Sequence, residues 1–277
     1  AVAIGNLAGT TGQSTQSVAI GISAGSNTQG ANSVAIGVTA GFTSQGASSV
    51  AIGPSAGNTS QGTSSVAVGQ NAAQYNQGAN SVAMGLLAGN TGQGLNSVAI
   101  GNSAGQTTQA VNAVAIGTLS GNYGQGSRAI AIGTFAGTTG QGASSVAIGD
   151  MSGQTTQGAS SVAVGLNSAR YNQGVNSVAI GVNSAYTGQG ASAIAIGSNA
   201  GGTGQGTNSV ALGVNAGNFT QGNNSVAIGN SAGFCGQGAS AIAIGTNAGY
   251  TGQADNSIII SATGSIVQNT TASSCII

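Results

Sequence analysis

The chain has 277 residues, with 52 Gly, one Pro, no His and no Trp, and only Arg128, Arg170, Asp150 and Asp255 carry a formal side-chain charge. Two scattered cations exclude the basic stripe that nucleic-acid binding needs, and two carboxylates far apart in sequence form neither an acid–base pair nor a metal cage. No run has the length of a membrane-spanning helix and no charged-then-apolar leader opens the chain, so no catalytic residue, cofactor, metal or membrane span is expected.

Taken in order, the chain is one motif repeated. Ser17-Val18-Ala19-Ile20-Gly21 is its first full copy, and it returns every sixteen residues, with Val2, Val18, Val34, Val50, Val66 and so on to Ile242 heading sixteen copies. Comparison of the copies with each other shows which columns are fixed. The residue after the apolar triplet is always Gly, from Gly5 to Gly245, and the residue eight further on is always Gln, from Gln13 to Gln253. Ala1 stands in the Ser column, so the chain begins inside a repeat, the pattern of a processed product or of part of something longer.

A period too short for an independent domain predicts a solenoid whose rungs bury their faces by stacking. Val and Ile two apart fit the two-residue alternation of a strand, β-branched residues suit it, and the flanking glycines oppose helix. The expected fold is an all-β parallel β-solenoid (β-roll), with sixteen residues and two strands per coil, over residues 1–257, each coil adding about 4.8 Å. One strand is Ser-Val-Ala-Ile-Gly. The second is expected around the Ala8, Ala24 and Ala40 column, where Ser120, Ser152, Ser168 and Ser184 replace Ala, with bends at the Gly after Ile and at the Gln-Gly step.

On this reading Val and Ile fill the coil. Their burial is too small to offset the ordering of sixteen backbones, so hydrogen-bond ladders must supply the rest, and stacked Gln amides are placed to contribute one. Ala3 to Ala243, between Val and Ile in all sixteen copies, is then expected to face outward against sister copies of the chain, since a solvent-facing column would drift to polar residues.

The remaining columns are variable and mostly polar. Thr11, Thr43, Thr59, Thr91 and Thr107 share a column interrupted by Tyr75, Tyr123, Tyr171 and Phe219 at intervals of 48 residues, the mark of a duplicated three-coil block. Ser23, Ser55, Ser103 and Ser231 each sit in a G-x-S-x-G pattern, but a nucleophile elbow without any His has no base. Sequons occur at Asn58, Asn218, Asn223 and Asn269. Cys235 and Cys275 are too few for a disulfide framework.

The run Asn32-Ser33-Val34-Ala35-Ile36-Gly37, repeated with variation, resembles the N-S-V-A-I-G head repeat of trimeric autotransporter adhesins, and similar repeats occur in fibre proteins of phages and giant viruses. The coil here is longer than the repeat typical of those heads, with the Gln-Gly step as the extra. The resemblance implies a left-handed roll, a homotrimer and a surface-exposed adhesive or spacer role. Ile258-Ile259-Ile260 breaks the motif, and residues 258–277 read as a C-terminal cap or transition segment. The functional expectation is a non-catalytic extracellular fibre or spike shaft, on a cell or virion surface, with a host-surface receptor or glycan as its outside partner. The alternatives are a self-assembling extracellular filament and an ice-binding solenoid that uses the Thr column.

Overall fold

The computed structural model describes residues 1–277, and contacts divide them into two units, Ala1–Gly140 and Gln141–Ile277. Each unit is a parallel β-solenoid without helices. Every regular coil contributes a major strand, such as Val18–Ile20, and a minor strand, such as Asn27–Gln29. Pairing is parallel and in register, each residue meeting its equivalent one repeat later. In the first unit Val18, Ala19 and Ile20 pair with Val34, Ala35 and Ile36, and Asn27 and Gln29 with Thr43 and Gln45. In the second unit Val162, Ala163 and Val164 pair with Val178, Ala179 and Ile180.

The fixed glycine follows from this stacking. Gly21 ends the major strand at φ +129°, and a Cβ there would lie 2.6 Å from the carbonyl oxygen of Gly37 on the next coil. Only Gly tolerates both the dihedral and the backbone approach.

The minor strand lies further along the coil than the repeat pattern predicts. It spans Thr-x-Gln, three residues beyond the Ala8, Ala24 and Ala40 column, which lies in the turn. Ala24 sits between two left-handed residues, Ser23 at φ +54° and Gly25 at φ +52°, within the turn of residues 22–25 that joins the two strands. The bends at the Gly after Ile and at the Gln-Gly step fall where expected.

The orientation of the major strand is the larger correction. Ala19, Ala35, Ala51 and their successors are fully buried inside the coil of a single chain, whereas Val and Ile point outward. Sister copies are therefore not what covers the Ala row. The interior is narrow because the Gln side chain spans it: Gln29 Nε2 donates to the Val18 carbonyl oxygen of its own coil at 2.8 Å, and Gln45, Gln109 and Gln253 do the same to Val34, Val98 and Ile242. Beside that amide there is room for Ala19, Ala24 and the Ser column, whose hydroxyls return to the preceding turn, as Ser17 Oγ does to the Ser14 carbonyl at 2.7 Å. The Gln-to-Gln ladder exists at intervals, between Gln77 and Gln93 and between Gln109 and Gln125 in the first unit, and between Gln189 and Gln205 in the second.

Residues 258–277 trace one further, irregular coil in the second unit. Ile258–Ile260 continues the major sheet, and Ile258 pairs in turn with Cys275, seventeen residues on. Ile259 occupies the Ala register and is fully buried, with Val267 packed against the same core.

Two outcomes follow. Gly101→Ala, at φ +129° with the Gly117 oxygen 2.7 Å from the added methyl, lowers stability by about 2–5 kcal/mol, whereas Gly124→Ala, with nothing within 4 Å, costs about 1–2 kcal/mol; denaturant unfolding compares them. Gln109→Glu keeps a donor to the Val98 oxygen only while protonated, so burial raises its folded pKa above the unfolded value. The variant is then most stable below the unfolded carboxyl pKa and loses stability as pH rises through the folded one, by about 1.4 kcal/mol per pH unit separating the two. Unfolding midpoints measured from pH 4 to pH 8 should fall for the variant relative to the parent.

Candidate assembly and recognition faces

With Ala inside, each major strand presents its β-branched residues outward. Ile52, Ile100 and Ile132 in the first unit are 36–37% exposed, and Ile148 and Ile180 in the second are 38–39% exposed. The Val row beside them is half-buried. Stacking sets these side chains one strand spacing apart, about 4.8 Å, so each unit carries two parallel rows of aliphatic side chains. No charged residue interrupts either row, from Val2 and Ile4 onward. Such a surface has no hydrogen-bonding groups beyond the backbone already used in the sheet, and what it can do is exclude water against a matching surface.

The minor sheet presents a different outer surface. Its central residues, such as Thr28, Ser44, Asn76 and Gly92, all have left-handed backbone, which suits the Gly and Asn of that column and is unusual for its β-branched Thr. Tyr75, Tyr123 and Phe219 stand exposed in the first position of their strands.

In the second unit the aromatic residues meet. The Tyr171 and Tyr186 rings contact edge-on at 5.6 Å, Phe219 and Phe234 do so at 5.3 Å, and Phe234 stacks on Tyr250 at 4.9 Å. The Arg170 guanidinium lies 5.0 Å from the Tyr171 ring centroid, donates from Nε to Gln154 Oε1 at 2.8 Å, and donates from Nη1 to the Tyr186 hydroxyl at 3.3 Å. Reading Tyr75, Tyr123, Tyr171 and Phe219 as one interrupted column misses this cluster. The available signal is the column beside it, which holds Arg170, Tyr186, Phe234 and Tyr250: residues fifteen apart are diagonal neighbours when the coil has sixteen.

The other motif residues are dispersed. Ser23, Ser55, Ser103 and Ser231 lie in turns at φ +54° to +56°; Ser55 Oγ is 3.0 Å from Thr39 Oγ1, and Ser103 and Ser231 donate to Asn102 and Asn230. Among the sequons, Asn269 is buried and Asn58 donates to the Thr39 carbonyl, whereas Asn223 is exposed. Cys235 and Cys275 are free and exposed. No helix is long and apolar enough to cross a membrane.

Comparison with curated proteins finds no match to the chain. The family model of the YadA head domain repeat matches it twice, at residues 173–185 and 205–232. Both stretches begin on the interior Gln and end in the left-handed turn after a major strand. The resemblance carried by Asn32-Ser33-Val34-Ala35-Ile36-Gly37 therefore holds, and the coils are similar to the head repeats of trimeric autotransporter adhesins, an adhesin-type structural domain.

Proposed function

We propose that the chain is the shaft of a non-catalytic, extracellular homotrimeric fibre on a cell or virion surface, built as a left-handed roll, whose copies pack through the outward Val and Ile rows of the major sheet. The observation that carries this reading is the uninterrupted aliphatic face, together with the match to a trimeric adhesin head repeat. Isolated exposed apolar residues are ordinary on a protein surface, but continuous apolar faces mark contact with a partner. A repetitive face meets a second copy of itself in register, which a partner of unrelated sequence could not do at every coil. The minor sheet, on the opposite side of each coil, stays free for display.

Residues 258–277 fit a cap in this scheme. A solenoid end exposes both an apolar core and unpaired strand edges, and Ile259 places a bulky side chain over the Ala stack while the Cys275–Ile276 strand covers the edge of Ile258–Ile260. Ile259→Ala should open a cavity costing about 2–5 kcal/mol, read as faster amide hydrogen exchange in the Ile242–Ile244 and Ile258–Ile260 strands, with coils far from it unchanged.

Sedimentation equilibrium tests the assembly. The expected mass is three times the 25.8 kDa of one chain, and the double substitution Ile100→Lys and Ile132→Lys, on the outward row and two coils apart, should reduce it to one chain with the circular dichroism spectrum retained. A monomeric parent protein, or a trimer indifferent to both lysines, would refute the proposed interface.

A further inference from the structure

The aromatic cluster of the second unit is divided by a notch. Tyr186, Gly202, Asn218 and Phe234 occupy one column on successive coils, and Gly202 is the only Gly in that column. With no side chain at that rung, a cavity of about 450 Å³ opens between Tyr186 and Phe219, with Gly202 and Thr203 in its lining. That volume falls within the range of about 300–1,000 Å³ usual for small-molecule sites. Tyr186 and Phe219 belong to coils two rungs apart, about 9.6 Å along the stack, enough for one saturated ring between them.

Both walls are fixed before any ligand arrives. Tyr186 is held by the edge of Tyr171 and by Arg170, and Phe219 by Phe234, itself stacked on Tyr250. Asn183, Asn199 and Asn218 supply amides. Asn183 Oδ1 accepts from Asn167, leaving its Nδ2 free, and Asn199 Nδ2 donates to Asn215, leaving its Oδ1 free. Asn218 departs from its equivalents: Asn58, Asn90 and Asn122 donate to the backbone carbonyl nineteen residues earlier, whereas Asn218 makes no such bond and leans its Oδ1 into the space above Gly202.

We propose that this notch is a carbohydrate-binding site, taking a neutral pyranoside between Tyr186 and Phe219. Rigid aromatic faces match the apolar C–H face of a pyranose, and amides offering both donors and acceptors match its equatorial hydroxyls. No carboxylate lines the notch, and the Arg170 guanidinium beside it is engaged by the Tyr171 ring, Gln154, Asn167 and the Tyr186 hydroxyl, so the lining offers a ligand amides and aromatic rings rather than a free charge. Pre-set walls reduce the ordering cost of binding. The inference deepens the display role proposed above by naming what is displayed to, but the notch lies within one chain and does not depend on the trimer.

The test is saturation-transfer NMR on the full chain with cellobiose, maltose, lactose and N,N′-diacetylchitobiose, irradiating the aromatic protons. Transfer to ring C–H protons of at least one disaccharide is expected. Gly202 lacks a left-handed φ, and an added Cβ displaces the mobile end of the Asn218 side chain and lies 3.2 and 3.3 Å from the Asn218 and Asn199 carbonyl oxygens, so Gly202→Gln, which restores a residue common in that column, should fold after a shift of a few tenths of an ångström and weaken binding at least tenfold. Phe219→Thr should do the same, and Phe42→Gln in the first unit should leave binding unchanged. Absence of transfer with all four sugars, or undiminished transfer in Gly202→Gln, would overturn the proposal, while sedimentation of the same samples reports separately on the trimer.

Discussion

One hydrogen bond inside each coil sets most of what surrounds it. The invariant Gln reaches across the interior from the minor strand and gives its amide hydrogen to the carbonyl of the residue that heads the major strand. That bond satisfies the buried Nε2 donor, although the Oε1 of Gln29, Gln45, Gln61 and several others accepts no hydrogen bond within the chain, and reaching that carbonyl fixes how close the two strands lie. At that separation only methyls and hydroxymethyls fit between them, so Ala and Ser fill the coil and the β-branched residues are expelled to its outside. The fixed Gly then answers the remaining demand, a strand end that nearly touches the coil above it.

The consequence is a core that contributes little apolar burial. Two alanines per coil bring roughly 0.8 kcal/mol per methyl, far less than a conventional core offers. Stability has to come from in-register backbone pairing repeated at every rung, from the Gln and Ser bonds, and from whatever covers the Val and Ile rows. The most apolar surface of each unit is thus on the outside, where any partner that covers it adds to stability by mass action.

Much of this was legible in the sequence. The sixteen-residue period gave the parallel solenoid, two strands per coil and both bends, because a repeat exposes its own constraints: a column that is always Gly or always Gln is under one physical demand sixteen times over. Two-residue alternation also showed that Val and Ile share one face and Ala the other. It does not say which face is inside. The assumption that the larger apolar residues are buried failed at Ala19 and Ile20 because interior width is set by the Gln bridge, a contact that composition does not reveal. The minor strand was displaced from Ala24 to Asn27–Gln29 for a related reason, since the left-handed residues around Ala24 leave no mark that distinguishes a turn from a strand. The notch at Gly202 is not legible in any single column, because it belongs to two adjacent columns at once and to the one coil where a side chain is missing.

Two features decide the behaviour of the chain: which side of the major strand faces inward, and what covers the other side. Thiol labelling at two adjacent positions decides both. In a background with Cys235→Thr and Cys275→Ser, single cysteines at Ala51 and Ile52 would be labelled in the assembled protein and again with Ile100→Lys and Ile132→Lys present. The prediction is that position 51 stays unreactive in both, held within its own coil, and that position 52 is protected in the assembly and reacts once the copies separate. Labelling at position 51 as fast as at position 52, or free reaction of position 52 in the intact parent protein, would contradict it.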